Sequence, residues 1–189
     1  VLNHQGSNIG KYDKGKLVPF GEYIPFRKGI NFLKVLASDK EFSRGSKAEH
    51  FFKFNKLNLY PMICYEAIFP WKHNKRISYD LIVNVTNDNW FGNTFGPAQH
   101  LSLSKQRAIE TGIPMIRVSN SGISAVIAPN GKEIGRINYG TTGCFDAKIP
   151  RKFNETFYAR WGDSIFFFVT IILIIIYCIL RLNIKYINQ

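Results

Sequence analysis

The strongest pattern in the chain is an unbroken apolar stretch near its end. From Ser164 to Leu180, 17 consecutive positions carry no charged side chain. As a helix rising 1.5 Å per residue it would reach about 25 Å. That is the short end of the membrane-spanning range, and Leu182, Ile184 and Tyr186 can extend it while Arg181 and Lys185 snorkel. The stretch is apolar all round, which favours a transmembrane helix over residues 164–183, with 184–189 as a short tail, over a buried core helix. Earlier in the chain the apolar runs are short and punctuated. Asn58–Cys64 and Tyr79–Val85 read as strands, the second continuous enough to suit a sheet buried on both faces. Pro97–Thr111 reads as a helix that opens on proline and stops at Gly112. Pro114–Ser119 is the next strand. Ile123–Ala128 and Lys132–Ile137 flank an Asn130-Gly131 turn as a hairpin. Strands, a helix and then a hairpin predict an α/β fold. The stretch from Lys28 to Lys56 reads as one long loop, of a length that is usually functional or mobile.

Composition narrows the class. The 189 residues are 46% hydrophobic and 15% aromatic, which excludes a disordered or collagen-like chain. Three widely spaced cysteines exclude a disulfide framework and a paired-cysteine zinc module, and His4, His50 and His73 lack metal-ligand spacing. The net charge of +12 would suit a nucleic-acid protein, but no nucleic-acid-binding motif accompanies it. With an apolar terminal helix, attraction to an anionic lipid surface suits the charge better, so the membrane and not nucleic acid is the expected partner, beside the plain reading of a solvated basic surface. Arg181 and Lys185 on one side of the span, and Arg151, Lys152 and Arg160 on the other, leave its orientation open.

Three stretches carry candidate chemistry. Lys14 and Glu22 flank a turn punctuated by Pro19 and Gly21; Cys64-Tyr65-Glu66 sits at a strand end; and Asn84–Gly92 runs from an apolar strand into a polar and aromatic cluster. Catalytic groups collect at the carboxyl ends of strands in α/β folds. A strand-end cysteine becomes a nucleophile if its proton is removed, and a neighbouring ammonium such as Lys14 would favour both thiolate and oxyanion. The Tyr65 N–H could supply a second oxyanion donor, and a carboxylate would move the proton. Taken singly, each has a plainer reading: Cys64 as an inert buried thiol, Lys14 as a surface cation, Glu22 and Glu66 as solvated acids. His100 reads as structural, Cys144 as a strand residue, and Cys144 and Cys178 as packing groups. Asn87, Asp88 and Trp90 are candidates for shaping a pocket.

In combination these residues resemble a known family. Tyr12-Asp-Lys14 with Leu17-Val-Pro-Phe-Gly-Glu22, then Cys64-Tyr-Glu66 with Phe69-Pro70, then Asn87-Asp-Asn-Trp-Phe-Gly92 with Gly96-Pro-Ala-Gln-His100, are similar to the apolipoprotein N-acyltransferases. These form the membrane-bound branch of the nitrilase, or carbon–nitrogen hydrolase, superfamily. Arg107-Ala-Ile-Glu110 and Arg117-Val-Ser-Asn-Ser-Gly122 continue the likeness. The resemblance implies a partial nitrilase-like α-β-β-α sandwich over residues 1–160, followed by the one C-terminal transmembrane helix. It implies a bacterial inner-membrane protein with the globular part periplasmic. The implied reaction takes a fatty acyl chain from a phospholipid donor onto Cys64 as a thioester. The chain then passes to the N-terminal amine of a diacylglyceryl-modified apolipoprotein. Cys64 would be the nucleophile, Lys14 the oxyanion cation, Glu22 and Glu66 supporting carboxylates, and Tyr65 part of the acyl pocket, with Asn87 and Trp90 as substrate-binding candidates. No metal or organic cofactor is implied.

The family's general-base glutamate lies well upstream of its lysine, and only 13 residues precede Lys14. The chain is therefore expected to be a truncated, inactive piece with half of a two-sheet core. Two rival readings are a nitrilase-type amidohydrolase, against which the apolar tail argues, and a catalytically dead membrane-tethered remnant.

Overall fold

The computed structural model describes residues 1–2, 5–8, 10–25, 42–45, 52–70 and 78–187. The long loop expected between Lys28 and Lys56 lies mostly outside these residues, as do His4, His50 and His73.

Six strands form one sheet in sequence order: β1 (Phe52–Phe54), β2 (Leu57–Ile63), β3 (Leu81–Asn87), β4 (Met115–Asn120), β5 (Ser124–Ile127) and β6 (Glu133–Ile137). Strands β2, β3 and β4 run parallel, and the outer pairs are antiparallel. Helix α1 (Gly96–Thr111) makes the crossover from β3 to β4. Its start follows from Pro97 in the first turn, whose missing N–H costs nothing there, and its end from Gly112, which is left-handed at φ 68°. A Cβ at Gly112 would lie 2.9 Å from Thr156 Cγ2, so the same position also needs glycine for close packing.

The sheet is two-faced. Met62, Ile82, Met115, Ala125 and Ile127 meet Leu101 and Ala108 of α1 in one core. The larger of these, the methionines, isoleucines and Leu101, each contribute about 1.5–3 kcal/mol when fully buried. The alternation that turns Asn84 and Arg117 toward α1 turns Val85 and Val118 the other way, where they stay half exposed. The expectation of a sheet buried on both faces is met on one of them among the described residues: a helix covers the face of Ile82 and Asn84, whereas the cross-strand neighbours Val85 and Val118 on the other stay half exposed. This is one β layer and one α layer of the sandwich expected from the sequence.

The hairpin forms as expected, with a three-residue connection. Gly131 N–H donates to Ala128 O at 2.8 Å, Ala128 N–H donates to Lys132 O at 2.8 Å, and Gly131 takes φ 81°. Pro129 and Asn130 fill a turn that Gly131 closes in the left-handed region. The strand expected at Cys144 is absent: residues 141–150 have no regular secondary structure. The Phe145 ring occupies the space a side chain at Gly135 would take, so the segment packs over β6 by its ring and makes no ladder. Cys144 and Cys178 are both exposed, against the expectation of packing groups.

Short helix α2 (Phe157–Trp161) is capped by Thr156 Oγ1 accepting from Ala159 N–H at 3.0 Å. It leads into α3 (Ser164–Ile187), which runs four residues past the expected end at 183. None of Ser164–Arg181 is buried, and its mean hydropathy is 2.6. The described residues of the domain do not cover this helix, unlike a helix of their core.

Gly131→Ala is expected to destabilise the fold by about 1–2 kcal/mol, the cost of a Cβ in the left-handed region. The new methyl would also stand 2.7 Å from Ile109 Cδ1. Thermal unfolding in detergent checks this, with a lowered midpoint as the expected result.

Candidate active site

Strands β2 and β3 end side by side, and both run straight into tight 3-10 turns, Cys64–Ile68 and Asp88–Phe91. The first residue of the first turn is Cys64, with φ 49°. A non-glycine residue there is strained by about 1–2 kcal/mol, and such strain persists only where surrounding contacts over-determine it.

One set of contacts centres on Glu66, which is 8% exposed. Its carboxylate accepts from Ile63 N–H at 2.8 Å, reaching back across the turn. It also accepts from Gly15 N–H at 2.7 Å, Lys16 N–H at 3.1 Å and the Tyr12 hydroxyl at 2.8 Å. Burial, then the Glu66 charge, pushes the Tyr12 hydroxyl well above its ordinary range, so it stays a donor. Glu66 thus ties the Tyr12–Lys16 segment to the cysteine turn. Its acceptor capacity goes into holding backbone, a structural duty, and it does not line the cavity at Cys64.

That segment delivers Lys14. Its ammonium lies 2.6 Å and 2.8 Å from the two Glu22 oxygens, and Val18 N–H donates to the same carboxylate at 2.8 Å. Both side chains of the pair are largely shielded, at 11% and 21% exposure. Glu22 lines a cavity of about 320 Å3 together with Cys64, Tyr65, Ile68, Asn87, Trp90 and Phe91. Of the residues singled out from sequence, Cys64, Tyr65, Glu22, Asn87 and Trp90 share this space, and Lys14 is joined to it through Glu22. Asn87 is fixed at the strand end by accepting from Asn89 N–H at 3.2 Å. Trp90 is 78% exposed. Phe20 and Phe95, next in sequence to the lining residues Gly21 and Gly96, are also exposed.

Behind the cavity, between α1 and the sheet, lies a charged network whose connectivity the sequence did not reveal. Arg117 of β4 and Asp88 are fully buried and paired at 2.7 Å. Arg117 also donates to Asn84 Oδ1 at 2.6 Å and Ser104 Oγ at 2.9 Å. Asp88 Oδ1 accepts from Thr86 Oγ1 at 3.0 Å and lies 2.8 Å from His100 Nδ1. Burial pushes the Asp88 carboxyl up, but hydrogen bonding to His100 and the Arg117 charge outweigh it and hold the group below the usual carboxylate range. Burial also lowers the Arg117 pKa from its ordinary value, against the pull of Asp88. One sequence signal was available: Arg117 alternates with Met115 on the inward face of an apolar strand, and a charge there requires a buried partner. Among the described residues no group of three or more metal-ligating side chains is present.

Removing one half of this pair leaves a buried charge unmatched. Arg117→Met is expected to cost about 3–5 kcal/mol. The Asp88 pKa is depressed in the fold, so its share of stability is complete above about pH 4, the unfolded carboxyl value, and is lost as pH falls through the folded value. Thermal midpoints measured from pH 7 to pH 2 check both. The wild-type midpoint is expected to fall below about pH 4, and that of Asp88→Asn to be low throughout with a weaker acid dependence.

Comparison with known proteins shows the family. A model of the carbon-nitrogen hydrolase family matches residues 1–156. Apolipoprotein N-acyltransferase of Rickettsia typhi is 35% identical over 96% of this chain and 37% of its own length. The Bradyrhizobium diazoefficiens protein of that name is 41% identical, over 86% and 31%. That of Agrobacterium fabrum is 40% identical, over 93% and 34%. The chain thus spans about a third of the length of the curated relatives it matches. An amidase from Nesterenkonia sp. superposes with a TM-score of 0.49 at 20% identity, covering 73% of this chain and 49% of that one. The chain belongs to the carbon-nitrogen hydrolase family, and the relatives it resembles over most of its length are apolipoprotein N-acyltransferases.

Proposed function

We propose that the protein carrying this chain transfers a fatty acyl group from a phospholipid, through a thioester on Cys64, to the N-terminal amine of a diacylglyceryl-modified apolipoprotein. The observation that carries the reading is Cys64 at a strained strand end, opening on a cavity it shares with Tyr65, Trp90 and Glu22, the last of which grips Lys14. The relatives' shared name supports the same reaction.

The chemistry follows in two steps. The Cys64 sulfur attacks the ester carbonyl of the phospholipid, and an S–C bond forms as an oxyanion develops. The Lys14 ammonium and the Tyr65 N–H stabilise that charge. Collapse breaks the ester C–O bond, and the thiol proton ends on the departing glycerol oxygen, giving a lysophospholipid. The acceptor's free amine then attacks the thioester. The C–S bond breaks, an amide forms, and the amine's proton returns to the sulfur. A carboxylate must carry these protons, and the resemblance assigns that task to a glutamate upstream of Lys14. Glu22 holds Lys14 in place, and Glu66 holds the backbone around it.

The surroundings suit a lipid donor better than a small polar amide. Aromatic side chains border the cavity, and Phe20, Trp90 and Phe95 stand exposed near it. Exposed apolar groups clustered at a site mark an interaction surface. The exposed helix α3 is long and apolar enough to cross a membrane, and we assign residues 164–183 to that span, with residues 1–160 as part of a carbon–nitrogen hydrolase domain. The site would then lie at the membrane, on the periplasmic face of the bacterial inner membrane.

Acylation from a radiolabelled phospholipid tests the proposal in the protein expressed from its complete gene. Cys64→Ala is expected to abolish the label that hydroxylamine releases. Lys14→Met is expected to slow its appearance by about 100- to 1,000-fold, the usual effect of losing one oxyanion-stabilising group. Labelling that persists in Cys64→Ala would overturn the assignment of the nucleophile.

A further inference from the structure

His100 sits between the charged network and the cysteine. Its Nδ1 lies 2.8 Å from Asp88 Oδ1 and 3.1 Å from Arg117 Nη2. Its Nε2 lies 3.2 Å from the backbone carbonyl oxygen of Cys64. A carbonyl only accepts, and so does the Asp88 carboxylate, so the two contacts are hydrogen bonds together when each ring nitrogen carries a proton. The ring is 3% exposed and is held edge-on by Phe91, with centroids 5.8 Å apart. A hydrogen bond from so confined a donor constrains the peptide that receives it.

We infer that His100 is a positioning residue for acyl transfer, fixing the Cys64–Tyr65 peptide plane by donating to its carbonyl. The inference rests on the reading of Cys64 as nucleophile. In a trans peptide the C=O and N–H point to opposite sides of one rigid plane. Holding the Cys64 carbonyl against α1 therefore sets the direction of the Tyr65 N–H. This N–H belongs to the first turn of the 3-10 segment and has no acceptor within it, so it is free of helical duty. The same hydrogen bond withdraws electron density from the carbonyl and makes the N–H a better donor. It also helps to maintain the unfavourable φ of 49° at Cys64. Asp88 and Arg117 act one step further back, by fixing the ring.

This arrangement has a kinetic signature that plain destabilisation lacks. An oxyanion donor acts only once the tetrahedral centre forms, so its misplacement lowers kcat and leaves KM. Alkylation by iodoacetamide displaces iodide from a saturated carbon and forms no oxyanion, so it reports the thiol without the peptide. The experiment uses the protein expressed from its complete gene, in detergent micelles. The burst of p-nitrophenol from p-nitrophenyl butyrate reads acylation, and mass spectrometry of the Cys64 peptide reads alkylation. His100→Ala is expected to slow the burst by about 10- to 100-fold, part of what losing an oxyanion donor outright costs. Its KM is expected to change by less than about twofold and its alkylation rate by less than about threefold, since neither depends on that donor. His100→Gln, whose amide can still donate, is expected to recover most of the burst rate. It also serves if His100→Ala does not fold. Leu101→Ala, buried in the core beside it, supplies the effect of destabilisation alone and is expected to leave the burst rate nearly unchanged.

Parallel loss of alkylation in His100→Ala, an unchanged burst, or an equal loss in Leu101→Ala would overturn the inference. So would the lack of any Cys64-dependent burst in the wild type. A normal burst and a normal His100 effect, with no thioester from phospholipid, would support this inference while removing the lipid donor of the proposed function.

Discussion

The buried pair between Asp88 and Arg117 is the interaction on which the rest of the site depends. It lies where β3 ends, where β4 turns a charge inward and where α1 covers the sheet, and it draws in Asn84, Thr86, His100 and Ser104. Taking two charges out of water costs several kcal/mol per ion, and only near-complete hydrogen bonding repays it. That requirement favours one relative placement of three elements. The cysteine turn rests against it through His100.

A second carboxylate does comparable work on the opposite side of the turn. Glu66 gathers backbone N–H groups from both the cysteine turn and the segment before Lys14. The two clusters hold Cys64 from either side, which explains how a φ of 49° survives at a residue with a Cβ. Strain at one residue is offset by hydrogen bonds made at several others. The division of labour is clear: Asp88 and Glu66 hold geometry, and the groups facing the cavity remain for substrate.

Much of the fold was legible because local signals agreed. Pro97 and Gly112 bracket α1, Asn130-Gly131 marks the hairpin, and the apolar runs at Leu81 and Met115 are the strands they resemble. Cys64, Tyr65 and Glu22 were legible as a set because their spacing follows a family motif. What escaped depends on distance in sequence. His100 meets the Cys64 carbonyl across 36 positions, and Asp88 meets Arg117 across 29. Pairings of that kind leave no local pattern, apart from the inward charge of Arg117. The duty of Glu66 escaped for a related reason: a motif says that a carboxylate is needed, not which atoms it holds. Cys144 was misread because a short mixed stretch suits a strand locally, whereas the Phe145 ring decides its packing.

Apolar side chains stand exposed along α3 and near the cavity, while the charged groups of the site face inward. The central claim is that this inward-held cysteine carries an acyl chain taken from a phospholipid. Peptide mapping by mass spectrometry, after incubation of the whole protein with phospholipid vesicles and without acceptor, tests it most directly. The account predicts one acyl chain on the peptide containing Cys64, released by neutral hydroxylamine as a thioester would be. An unmodified Cys64 peptide, or the chain found on another residue, would contradict it.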